Sequence, residues 1–120
     1  GLAQALATRS MKYVARSAAL RGEIALRARQ WAPAETDFAE ALRIVRAISY
    51  PTLIWQAAHR LARAHAGAGR MEAAMTAARL AVETIDAVAA RTPDSAFRAT
   101  FLAWPRVEAA REELVRLERA

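Results

Sequence analysis

Hydrophobic residues recur along the chain every three to four positions and never alternate with polar ones over the length of a strand, so every element the pattern predicts is a helix. Met11 to Arg29 carries Val14, Ala18, Ala25 and Ala28, with Leu20 and Ile24 between them, and Ser10 stands where an N-cap belongs. After a break at Gln30, Trp31 and Ala32, Pro33 opens a second helix whose stripe is Phe38, Ala41, Leu42, Val45 and Ile48. Glu35 and Asp37 fall near its start, where the positive end of the dipole favours carboxylates. Pro51 opens a third helix, with Ile54, Ala58, Leu61, Ala62 and His65 inward and a stop at Gly67 and Gly69. The fourth runs from Arg70 or Met71 to Arg91 behind Ala74, Ala78, Ala81, Val82, Ile85 and Val88. Pro93 and Asp94 open a short helix to Ala103, and Pro105 opens a last one with Val107, Ala110, Leu114 and Leu117 inward. The expected class is all-α, which excludes a sheet-based catalytic domain.

Shifting the chain by 40 positions superimposes the small and apolar residues on one another. Ala18 falls on Ala58, Gly22 on Ala62, Ala34 on Ala74, Phe38 on Ala78, Ala41 on Ala81, Val45 on Ile85 and Ile48 on Val88. Helix pairs that cannot bury their own apolar faces must keep the same positions small or apolar in every unit, so that the next unit can stack.

The small residues of the two units, Gly22, Ala25, Ala34, Phe38, Ala41 and Ala58, Leu61-Ala62, His65, Gly69, Ala74, Ala78, Ala81, resemble the tetratricopeptide repeat. Arg21 stands where that pattern has leucine, Ala25 and His65 replace an aromatic, and the period exceeds the usual one of about 34. The resemblance implies antiparallel helix pairs stacked as a right-handed solenoid with a C-terminal capping helix. It divides a single domain, 1–120, into a first repeat at 10–49, a second at 50–92, and a partial repeat with its cap at 93–120, residues 1–9 being left from a preceding helix. Glu108, Arg111, Glu112, Arg116 and Glu118 are expected on the water-facing side of the cap. The run from Ala81 to Val107 is similar to the ends of repeat arrays in large bacterial signalling proteins, which follow cyclase, kinase or ATPase domains or belong to transcriptional regulators. Two readings follow. One is a non-catalytic module that binds a peptide or partner domain in its concave groove; the other is a sensory or regulatory segment acting on its own catalytic or DNA-binding domain.

Composition narrows the chemistry. Alanine fills 33 of the 120 positions, so the core must form by close approach of small side chains. No cysteine is present, which removes disulfides, thiolate metal sites and cysteine nucleophiles and fits a reducing, cytoplasmic setting. No apolar stretch reaches the roughly 18 residues of a membrane span, and the N-terminus lacks the regions of a signal peptide. Gly1 in place of Met suggests a residue left by tag removal or a segment of a longer protein. The formal charge is +6, and Lys12 is the only lysine among eighteen basic residues. That preference fits GC-rich codons; as chemistry, arginine forks suit carboxylates and phosphates. The arginines are scattered rather than clustered, and few aromatics interleave them, so an acidic peptide is a better expected partner than nucleic acid.

On helix phase, Arg16, Glu23 and Arg27 of the first helix and Gln56, His59 and Arg63 of the third should line the groove. His65 falls in an aromatic slot as a packed histidine, and six residues separate it from His59, which rules out an i, i+4 metal pair. Trp31 and Trp55 are expected to plug joints between units, while Trp104 before Pro105 is a candidate for self-association. No catalytic constellation and no cofactor or metal site is expected: Glu35, Asp37 and Glu40 are explained by the helix start, and Gly67-Ala68-Gly69 is a helix stop without a strand before it.

Overall fold

In the computed structural model, which describes residues 1–120, six helices account for nearly the whole chain and no strand is present. They are α1 (Leu2–Arg27), α2 (Trp31–Ala47), α3 (Pro51–Gly67), α4 (Met71–Ala90), α5 (Ser95–Ala103) and α6 (Pro105–Arg119). Helices α1 to α4 each pack on the next in the chain, α6 packs on α4, and short α5 leans on α6 and α4. The body measures 43 × 35 × 20 Å; its thin dimension is about two helix diameters.

Six of the seven residue pairs related by the 40-position shift are buried on both sides, and the seventh, Ile48 and Val88, is half-buried on both. The turns repeat as well. After α1, the Arg29 and Gln30 amides donate to the Leu26 and Ala25 carbonyls; after α3, Gly69 and Arg70 donate to Ala66 and His65. Both are Schellman closures, with the left-handed residue at Arg29 (φ 56°) and Gly69 (φ 80°). A third ends α2, with Ser49 at φ 52°.

Gly22 and Phe38 show why the helices approach so closely. A Cβ added at Gly22 would lie 2.6 Å from the Phe38 ring, and one at Gly67 would lie 2.5 Å from Trp31. The missing side chains are filled by aromatics of the neighbouring helix. In the second pair the corresponding residues, Ala62 and Ala78, are both small and both buried.

Several local expectations are corrected. Ser10 is no cap: α1 runs unbroken from Leu2, so residues 1–9 continue the first helix rather than end another. Its packed face is Ala15, Ala18, Gly22, Ala25 and Leu26, while Val14, Leu20, Ile24 and Ala28 are exposed. Glu35 does not serve the helix dipole; it accepts a hydrogen bond from His65 Nδ1–H at 2.5 Å and pairs with Arg70 at 3.1 Å, tying α2 to the end of α3. Asp37 reaches back to Arg21 of α1 at 3.5 Å, and Glu40 pairs along its own helix with Arg43. Asp94 caps α5 through the amides of Ala96 and Phe97. No helix is long and apolar enough to cross a membrane.

Candidate anion-binding groove

Helices α1, α3 and α6 enclose a cleft of about 540 Å³. Glu23 and Arg27 enter it from α1 and Gln56, His59 and Arg63 from α3, so five of the six residues expected to share a groove do so. Arg16 is the exception. It lies toward the N-terminal half of α1, beside a second cleft of about 420 Å³ with a largely apolar lining between α1, α2 and α3. The two clefts meet at Glu23, Gln56 and Arg60.

Sequence reasoning missed the wall that α6 supplies. Arg106, Glu112, Glu113 and Arg116 all face the cleft, and Arg60 of α3 joins them. A signal was present: Glu113 follows Val107 and Ala110 at the inward spacing, a carboxylate on a face otherwise apolar. It is only 3% exposed and pairs with Arg116. Arg111, expected in water, reaches Asp86 of α4 at 2.5 Å and helps fix α6 in place.

Cations exceed carboxylates in the cleft. Arg27, Arg60, Arg63, Arg106 and Arg116 face Glu23, Glu112 and Glu113. Glu23 is shared between Arg60 and Arg63 at 3.5 Å each. Arg27 and Arg106 have no carboxylate partner; Arg106 lies 5.9 Å from the centre of the Trp104 ring instead. His59 registers the resulting field. Burial first, then the positive charges of Arg63, Arg60 and Arg116, bring its pKa down to about 4, so it is neutral at pH 7. Burial also lowers the pKa of Arg60, opposed by Glu23 and reinforced by Arg106 and Arg63.

At the end of the cleft Trp55 is 1% exposed, and its indole Nε1–H has no hydrogen-bond partner. The ring is held edge-on between Phe101, 6.4 Å away, and Trp104, 6.0 Å away. Trp55 therefore locks α3 against α5 and the α5–α6 corner, and Trp104 is spent partly on this cluster. Trp31 covers Gly67 at the α2–α3 contact. The cleft holds an excess of guanidinium donors and a neutral imidazole, which suits it to hold an anion.

Comparison with protein-family models, with curated proteins and with solved structures finds no match.

Proposed function

We propose that the chain is a non-catalytic protein-interaction module, built as a tetratricopeptide-like right-handed solenoid and working in the cytoplasm, that holds an acidic peptide segment in the α1/α3/α6 groove. The solenoid reading is supported by the burial pattern and helix closures that recur at a 40-residue interval. The binding reading is carried by one observation: five arginines converge on three carboxylates around a histidine whose pKa is driven down to about 4. An anion bound there offsets the mutual repulsion of Arg60, Arg63 and Arg106, and unpaired Arg27 and Arg106 offer forked donors to carboxylates. The mechanism is binding without a chemical step.

The test is fluorescence anisotropy with a labelled Asp/Glu-rich peptide, alongside its Asn/Gln counterpart and a single-stranded oligonucleotide. Saturable binding of the acidic peptide alone, weakened about tenfold by Arg27→Ala with Arg106→Ala, is the expected result. Equal binding of the Asn/Gln peptide would remove the charge argument. Tighter binding of the oligonucleotide, with a steep salt dependence, would make the groove a nucleic-acid surface instead.

A further inference from the structure

Helix α1 is apolar on two opposite sides. One side packs against α2 through Ala15, Ala18, Gly22, Ala25 and Leu26. On the other, Leu2, Leu6, Tyr13, Leu20 and Ile24 are all exposed, from 52% at Leu6 to 77% at Leu2. At 100° per residue these five fall within an arc of about 40°, forming a straight stripe about 33 Å long. Isolated exposed apolar side chains are ordinary, but five aligned on one helix face, with Arg9, Ser10, Arg16 and Ser17 in the gaps between them, mark an interface.

The spacing of the stripe identifies its occupant. Counting outward from Tyr13, Leu6 and Leu20 lie seven residues away on either side, and Leu2 and Ile24 lie eleven residues away. The stripe reads the same in both directions. A two-fold axis through Tyr13 therefore sets Leu6 against Leu20 of a second copy, Leu2 against its Ile24, and Tyr13 against its Tyr13, the self-complementarity that an isologous contact requires. Ser10 and Ser17 border the stripe on one side and leave room for close helix approach.

We infer that the chain forms an antiparallel homodimer through the outer face of α1, with the dyad at Tyr13. A dyad of this kind places like flank beside like flank. On the groove side of the stripe, Arg9 and Arg16 then lie beside Arg16 and Arg9 of the second copy, and the two basic grooves open on the same side of the dimer. Because these like charges oppose assembly, the dimer tightens as salt rises. Trp104, edge-on to Trp55 and still 42% exposed, lies at the α5–α6 corner and not on this face of α1.

The chain has no cysteine, so introduced thiols report geometry without background. Under mild oxidation Tyr13→Cys should cross-link to itself. Leu2→Cys should cross-link to Ile24→Cys in a mixture of the two variants, but not to itself. In sedimentation equilibrium the unmodified chain should dimerise, and the double variant Leu6→Glu, Leu20→Glu should dissociate about a hundredfold or more. Both of those positions are solvent-exposed, so the double variant should keep its helical circular dichroism. A chain that remains monomeric at every concentration reached would overturn the inference. So would a dimer that survives Leu6→Glu with Leu20→Glu, or self-cross-linking of Leu2→Cys, which would signal a parallel pairing.

Discussion

Gly22 and Phe38 offer the sharpest test of how the helix pairs are built. Within a helix, Gly→Ala gains about 1 kcal/mol of intrinsic propensity. At position 22, however, the new Cβ would stand 2.6, 2.7 and 3.0 Å from three atoms of the Phe38 ring, and that ring is 0% exposed within the core. Overpacking of this kind costs about 1–3 kcal/mol. With three close contacts the upper half of that range applies, so Gly22→Ala should lower stability by about 1–2 kcal/mol net. In a Phe38→Val background the contacting ring atoms are gone, and the same substitution should instead stabilise by about 1 kcal/mol. The coupling between the sites is then about 2–3 kcal/mol. Phe38→Val itself should cost less than the about 3–5 kcal/mol of a Phe→Ala change, which keeps the cycle measurable. Urea unfolding of the four chains by circular dichroism supplies the cycle. If Gly22→Ala shifts the midpoint by the same amount with and without the phenylalanine, the ring is not what excludes a side chain from position 22, and the account of the close α1–α2 approach fails.

Other outcomes follow from single features. Arg29 and Ser49 hold left-handed backbone that glycine adopts freely, so Arg29→Gly or Ser49→Gly should each stabilise by about 0.5–1 kcal/mol, a rise of a few degrees in the thermal midpoint; Gly69→Ala should move it down. For His59 the unfolded chain takes up a proton near pH 6.5 and the folded chain only near pH 4, so stability is complete above pH 6.5 and declines as pH falls toward 4. Discounted for partial exposure, His59→Gln should reduce the loss of unfolding free energy between pH 7 and pH 5 by about 1 kcal/mol; an unchanged slope would show that the imidazole titrates normally. Glu23→Gln frees Arg60 and Arg63 from their shared carboxylate, and should tighten an acidic peptide several-fold in anisotropy while lowering the urea midpoint.

Much of the helix plan is legible because prolines and glycines punctuate it: Pro51 and Pro105 begin helices, and Gly69 ends one. The phase of α1 was legible from the repeated small residues Ala18, Gly22 and Ala25 but not from its large apolar ones, and the reason is physical. Where helices touch backbone to backbone, the interface needs Ala15, Ala18 and Gly22, and the bulkier Val14, Leu20 and Ile24 are left outside. A hydrophobic pattern weights the large residues and so points to the wrong side of the helix. The α3 part of the groove could be read because Gln56, His59 and Arg63 share one helix face. The α6 wall could not, since the return of α6 past α3 depends on contacts such as Arg111 with Asp86 and Trp104 with Trp55, each between residues far apart in sequence.

That return of α6 is what turns a charged helix surface into a site. Arginines on the exposed face of α3 alone would be screened by water and salt, and their field would be weak at His59. With α6 alongside, Arg106 and Arg116 join Arg60 and Arg63, and burial removes part of the water that would screen them. Salt acts with opposite sign at the two surfaces proposed for this chain. In the groove salt competes with an acidic ligand and weakens it, whereas at the α1 stripe salt screens Arg9 and Arg16 from their copies and strengthens the pairing. An acidic ligand lying across two grooves that open on the same side would neutralise that flank as well, so peptide binding and dimerisation should reinforce each other at low salt and become independent as salt rises. A salt series measured by both anisotropy and sedimentation therefore separates the two surfaces: opposite slopes are expected, and slopes of the same sign would mean that one set of arginines had been assigned to the wrong surface.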